Sequence, residues 1–311
     1  MATERISLRI EIDWPADPQP AWIGLDFLAP PAFTRTPLPV LFCFGGGGVT
    51  RDYFDMQGGA AFSFGRAMAA RGMLVISIDH PGVGGSFVPR NGFESTADTI
   101  ARAEAALVGL LLERLAEGTL HPALPLIDEI TPIGVGHSMG AMLVALQQTI
   151  TPQYAALALL CFATRGLPEV LTDAEKAAAA MPDGGRSAYV KLAKARFGGP
   201  FVAVVPPRAG SASTEAVGAV QAPMPTVTAM QSMLPGNIAA EAATLAGPLF
   251  LVAGDRDITG SPHKTPAAFR ACHDITLLVV PDAGHHVFVA AAAPALYARF
   301  AQWVFGLEPP A

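Results

Sequence analysis

The segment Gly136-His137-Ser138-Met139-Gly140 puts a hydroxyl between two glycines, directly after the apolar run 130–135 and before the helix-like run 141–150. A serine on a sharp strand-to-helix turn is lifted clear of the sheet, and a side chain at either flanking glycine would collide with the neighbouring strand or helix. Ser138 is therefore a candidate nucleophile. A serine hydroxyl is weak on its own and needs an imidazole base, which in turn needs an acid to fix its tautomer and stabilise the imidazolium. His285 follows the apolar run 275–280 in Ala283-Gly284-His285, and Asp257 follows the run 249–253 in Gly254-Asp255-Arg256-Asp257. His286 competes with His285 for the role of base, and Asp255 and Asp282 compete with Asp257 for that of acid. Asp255 suits a turn, where a carboxylate bonds backbone N–H groups, and Asp282 lies too near His285 in sequence.

These residues need a scaffold with strand ends on one side. Segments 6–14 and 22–28 alternate polar and apolar residues and read as a hairpin at a sheet edge. Runs 39–44, 74–79, 133–136, 156–162, 249–253 and 275–280 are short and continuously apolar, as expected of strands buried on both faces. Between them lie helix-like stretches at 52–71, 95–116, 139–150, 266–273 and 294–305, with Ser95 as N-cap of the second and Asp98 in the reach-back position. The alternation predicts an α/β fold, a mainly parallel twisted sheet of about eight strands with helices on both faces, with ligands beyond the carboxyl ends of the strands. The span 167–246 breaks the pattern. It contains Ala-rich helical pieces (172–181 and 187–197), several prolines, a Met-bearing stretch (224–234) and no compelling strand, and about 80 residues is too long for a bare loop. It is expected to be an inserted helical cap on a core formed by 1–166 and 247–311.

The order serine, acid, histidine, each at a strand's carboxyl end, resembles the α/β-hydrolase family over residues 39–303. Asp79-His80-Pro81-Gly82-Val83-Gly84-Gly85-Ser86 is similar to that family's Asp-x-x-Gly-x-Gly-x-Ser turn, with one extra glycine. Phe44-Gly45-Gly46-Gly47-Gly48 stands where the family carries its oxyanion loop, with Phe44 in place of the usual histidine that often braces it. The resemblance implies that backbone N–H groups of Gly46, Gly47 and Met139 hold the oxyanion, and it offers Glu169 or Asp173 as the alternative acid after the sixth strand that some relatives use. It also implies acyl transfer to water through an acyl-enzyme on Ser138: a carboxylesterase-like activity first, a lactonase or carbon–carbon hydrolase second. Ser138 does not suit the epoxide-hydrolase branch, which needs a carboxylate nucleophile, nor the dienelactone-hydrolase branch, which needs cysteine. A catalytically silent ligand-binding member of the fold is the alternative from another class.

Phe44, His137 and His286 are expected to shape the substrate pocket, with Met230 and Met233 contributed by the insertion. The insertion is poor in charge after Phe197, with Arg208 and Glu215 the charged residues up to 240, which suggests an apolar acyl or aromatic substrate. The glycine run 45–48 lacks the Lys-Ser/Thr of a phosphate-binding loop, since Val49, Thr50 and Arg51 follow it. Cys43, Cys161 and Cys272 have no metal-ligand spacing; the first two sit in strand-like runs and Cys272 in a helix-like one. No cofactor or metal is implied. In 311 residues with 51% hydrophobic content, the net charge of −6 and the absence of a basic patch argue against nucleic acid as partner. The longest apolar runs fall short of the roughly 20 residues of a membrane span. The N-terminus lacks signal-peptide character, so a cytoplasmic protein is expected.

Overall fold

The computed structural model describes residues 4–14, 19–59, 61–181, 188–204 and 211–307. Its first two strands, β1 (Arg5–Ile12) and β2 (Ala21–Leu28), form the antiparallel hairpin read from their alternation. β3 (Leu38–Phe44), β4 (Leu74–Ile78), β5 (Ile130–His137) and β6 (Ala156–Leu160) follow, with α1 (Phe64–Ala69), α2 (Ala97–Ala116) and α3 (Met139–Ile150) between them. Between β6 and the next long strand come α4 (Asp173–Ala179), α5 (Tyr189–Phe197), β7 (Phe201–Val202), α6 (Ala212–Ala219), β8 (Met224–Pro225), α7 (Thr226–Met233) and α8 (Ala239–Ala242). β9 (Leu249–Gly254), β10 (Ile275–Val280) and α9 (Ala293–Phe305) complete the chain.

The eight long strands form one sheet in the order β1-β2-β4-β3-β5-β6-β9-β10, in which β2 alone runs against the rest. The chain leaves β3 for β4 on one side and returns to place β5 on the other. That reversal opens a crevice at the carboxyl ends of β3 and β5, where ligands bind in sheets of this kind. Side chains alternate between two cores. Val40, Phe42 and Phe44 pack on one face with Ile100, Leu107, Leu111 and Leu115 of α2 and with α3, while Leu41 and Cys43 pack on the other with Phe64 and Met68 of α1 and Leu296, Phe300 and Val304 of α9. The apolar stripe of α2 recurs at helical spacing, so it faces the sheet without turning.

Several local expectations are corrected. The helix expected over 52–71 splits into a 3-10 turn (Arg51–Asp55) and α1, because Gly58 adopts φ +98° and the buried Asp55 carboxylate takes bonds from Ser63 and Arg66 instead of continuing the turn. The N-cap of α2 is Thr96, whose hydroxyl accepts from the Thr99 N–H; Ser95 ends the preceding 3-10 turn and its carbonyl accepts from the Thr228 hydroxyl. In place of a helix at 266–273 there is a 3-10 helix at Pro262–Ala268, since Pro266 lacks the N–H an α-helix requires. Cys272 therefore sits in a turn, its thiol on the carbonyls of Gly247 and Asp274. The span without an expected strand contains the two-residue ladder of β7 with β8, too short to leave a periodic signal. Ser187, Arg208 and the terminal Pro309-Pro310 lie outside the described residues. Among the described residues no helix is long and apolar enough to cross a membrane.

Candidate active site

Strand register brings the chemistry together. Phe44 pairs with Gly136 and His137 with Leu160, so the loop after β3, the turn after β5 and the end of β6 emerge side by side. Ser138 follows with φ 54° and ψ −118°, a conformation a non-glycine residue holds only where its surroundings impose it. They do impose it. The Ser138 N–H donates to the Leu160 carbonyl at 2.8 Å, and its own carbonyl accepts from Ala141 at 3.0 Å to start α3. A Cβ on Gly136 would lie 2.5 Å from the Ala141 nitrogen, and one on Gly140 would lie 2.7 Å from the Phe44 carbonyl carbon, so both glycines are required by close approach.

The Ser138 hydroxyl lies 2.9 Å from His285 Nε2, and His285 Nδ1 lies 2.9 Å from Asp257 Oδ1. Asp257 leaves the end of β9, its side chain fully buried and its Oδ1 also accepting from the Thr259 N–H at 3.0 Å. Burial raises its pKa, but the hydrogen bond and charge of His285 outweigh this and hold the carboxyl well below its usual range. No hydrogen bond forms at Asp257 Oδ2 among the described residues, although the Cys161 thiol lies against the carboxylate and adds weak stabilisation. The rival carboxylates are placed elsewhere. Asp255 accepts the N–H groups of Asp282 and Ala283, Asp282 faces Arg256, Glu169 pairs with Arg165, and the exposed Asp173 opens α4.

His137 is buried and donates through Nε2 to the His285 carbonyl at 2.8 Å, which anchors the backbone of the loop carrying the imidazole. His286 stacks on His137 with ring centres 5.6 Å apart. Burial, helped by the neighbouring His285, pushes His286 down to about 4, and burial also depresses His137, so both rings stay neutral at pH 7. Gly46 lies beside them: a Cβ there would be 2.8 Å from His137 Nδ1 and 3.2 Å from Ser138 Cβ. Among the described residues the N–H groups of Gly46, Gly47 and Met139 donate no loop or turn hydrogen bond. Where a bracing histidine is absent at Phe44, His80 arrives from the turn after β4. It packs on Phe44 and reaches the Gly45 carbonyl at 2.8 Å.

Two cavities flank Ser138. One of about 30 Å³ is lined by Cys161, Phe162, Gly166, Leu167, Ser232 and Thr259. The other, about 100 Å³, runs past Gly46–Gly48, His137 and His286 to Val204, Val217 and Gln221, residues it shares in part with an outer cavity of about 320 Å³. His137 and His286 line the wider of these two cavities. Phe44 and Met230 do not: both are fully buried in packed cores, and Met233 packs against Met230's cluster outside both cavity walls. The walls carry Ser, Thr, Gln and His groups, so they are less apolar than the shortage of charge suggested; uncharged is not the same as apolar. Gln221, Val204 and Thr259 carried no motif signal, since only tertiary packing brings them to Ser138. A larger depression of about 1040 Å³ beside Trp14 and Leu107 shares no residue with these cavities.

His137, Cys161 and His285 place one potential metal-ligating atom each within 4.8 Å of one another. The cluster is mostly committed elsewhere: both His285 nitrogens serve the chain from Asp257 to Ser138, His137 Nε2 bonds a carbonyl, and Cys161 is a thiol whose pKa burial raises; His137 Nδ1 alone has no partner among the described residues. The cluster does not fit a thiolate metal site.

Residues 40–300 match the sequence profile of the alpha/beta hydrolase family, and the chain belongs to that family. No curated protein matches it in sequence. Among solved structures, it resembles a monoacylglycerol lipase from Paleococcus ferrophilus (TM-score 0.63, 17% identity, covering 92% of this chain and 99% of that one). A thermophilic esterase from Thermogutta terrifontis gives TM-score 0.61 at 18% identity, covering 97% and 100%. The epoxide hydrolase VrEH1 from Vigna radiata gives 0.62 at 13%, covering 97% and 98%. At these identities the likeness shows the fold.

Proposed function

We propose that this hydrolase cleaves a carboxylic ester through an acyl-enzyme on Ser138. The observation that carries the proposal is the unbroken chain from Ser138 through His285 to Asp257, with both links at 2.9 Å. His285 Nε2 takes the Ser138 proton as Oγ attacks the carbonyl carbon, and the ionised Asp257 keeps Nδ1 protonated and stabilises the imidazolium. The oxyanion is held by the backbone N–H groups of Gly46 and Met139, with Gly47 adjoining, at the N-terminus of α3. The leaving group takes the proton from His285, and water activated by the same imidazole then releases the acid.

Residues 167–246 serve as the cap. They have a small core of their own (Leu171, Tyr189, Ala193, Val227, Met230 and Leu234) and supply walls to both cavities beside Ser138. The narrow cavity suits a short substituent on one side of the carbonyl, and the wider one suits a larger group with polar as well as apolar parts. Ser138 at the nucleophile position argues against epoxide opening despite the neighbouring fold, and an aligned chain of acid, base and hydroxyl argues against a binding-only protein. A panel of p-nitrophenyl esters tests the reading: wild type hydrolyses them and Ser138→Ala does not. Equal rates for the two would exclude Ser138 as nucleophile.

A further inference from the structure

The loop that would hold the oxyanion is anchored by a buried histidine–glutamate pair. His80 is 1% exposed and both of its ring nitrogens face acceptors: Nε2 lies 2.8 Å from the Gly45 carbonyl oxygen and Nδ1 lies 2.5 Å from Glu104 Oε1. Glu104, on the sheet-facing side of α2 and fully buried, receives a second bond at Oε2 from Gln147 Nε2 at 2.8 Å. Gln147 Oε1 in turn accepts from the Tyr154 hydroxyl at 2.5 Å. A carboxylate that already accepts one donor is the natural partner of a ring with a proton on each nitrogen, so the arrangement reads as imidazolium on carboxylate. Burial opposes charge on His80, but the Glu104 carboxylate beside it prevails and raises the pKa of the ring.

The acceptor chosen by His80 matters more than the pair itself. The carbonyl of Gly45 and the N–H of Gly46 belong to one planar trans peptide, in which C=O and N–H point in opposite directions. Fixing the carbonyl therefore fixes where the Gly46 N–H points. A cation on the oxygen end also polarises the peptide and strengthens the N–H as a donor, since linked hydrogen bonds reinforce one another in a low dielectric.

We propose that His80, held between Glu104 and the Gly45 carbonyl, is a positioning residue for hydrolysis: it aims and strengthens the Gly46 N–H that receives the oxyanion. This rests on the acyl-transfer reading above. It also accounts for Phe44, because the brace that the family usually takes from the position before the glycines is supplied here from the turn after β4. Loss of an oxyanion donor typically costs a hundred- to a thousandfold in rate, while substrate binding is barely touched, because the bond forms only in the transition state.

The test compares His80→Gln, whose amide nitrogen overlays Nε2 and keeps a neutral donor on Gly45, with His80→Asn, whose shorter amide cannot reach it. Active sites are counted by complete titration with a fluorophosphonate, so that misfolded enzyme does not enter kcat. The expected result is kcat per site down about a hundredfold in His80→Asn and within about tenfold in His80→Gln. KM stays within about threefold for both, and affinity for a trifluoromethyl ketone falls in parallel with kcat. Equal kcat per site in His80→Asn and wild type would overturn the proposal. If the variants do not fold, 15N spectra of histidine-labelled wild type decide: His80 should carry protons on both nitrogens, and a bare Nδ1 or Nε2 overturns the charged brace. Wild type that neither hydrolyses esters nor takes the label would instead refute the acyl-transfer reading itself.

Discussion

Gly140→Ala perturbs the site without touching a reacting atom. Gly140 is the second residue of α3, and a methyl there would sit 2.7 Å from the Phe44 carbonyl carbon and closer still to the carbonyl oxygens of Phe44 and Gly45. Carbon atoms in contact keep about 3.5 Å, so helix and loop must part by about 1 Å. Both sides resist: α3 is packed on the sheet along its whole buried face, and the Gly45 carbonyl is held by His80. Overpacking of this kind costs about 1–3 kcal/mol of stability. The same shift carries the Gly46 N–H about 1 Å from a hydrogen-bond distance near 2.9 Å, which is enough to lose it, and the barrier to hydrolysis rises by about 3–4 kcal/mol. The expected phenotype is a folded enzyme, weakened in urea, with kcat reduced a hundred- to a thousandfold and KM little changed. Gly109→Ala is the matching control. It lies inside α2, where an added Cβ meets nothing nearer than Gln153 Oε1 at 3.8 Å, and should stabilise the protein by about 0.5–1 kcal/mol with full activity. Wild-type kcat and stability in Gly140→Ala would refute the close-approach argument.

Asp257→Asn should leave the fold intact and lower kcat by about 10⁴-fold, because the amide permits the wrong imidazole tautomer; steady-state kinetics with a melting curve check this. The folded protein holds His286 down at about 4 against an ordinary histidine value near 6.5, so the unfolded chain binds a proton that the folded one refuses as pH falls below 6.5. Stability tied to His286 is complete above pH 6.5 and is lost toward pH 4, about 2 kcal/mol of it between pH 7 and 5. His80, with its pKa raised, works in the opposite direction, so the comparison must be of variants: urea unfolding at the two pH values should show a drop smaller by about 2 kcal/mol in His286→Phe than in wild type. Equal drops would show that His286 titrates normally.

The sheet and the residues of the chain from Ser138 to Asp257 were legible in the sequence because short apolar runs, glycines and polar strand ends are local signals. The register of Phe44 with Gly136 then follows from the fold, and with it the approach of Gly46 to Ser138. What was not legible depends on distant packing. Glu104 sits on a helix far from His80 in sequence, and nothing in the span around it marks it as a partner rather than one more helical glutamate. Phe44 and Met230 looked like pocket residues for their position and chemistry, but strand alternation turns the first into the core under α2 and α3, and the insertion's own core claims the second. The helix expected over 52–71 failed at Gly58, where a turn at positive φ outweighed helical periodicity on either side.

Covalent acylation of Ser138, with His285 as its base, is the step on which the proposed mechanism turns. Incubation of purified protein with a fluorophosphonate, followed by peptide mass spectrometry, tests it directly. One adduct is expected, on Ser138, absent in Ser138→Ala and formed at least about a hundredfold more slowly in His285→Ala. Absence of an adduct on Ser138, or labelling at an unchanged rate without His285, would contradict it.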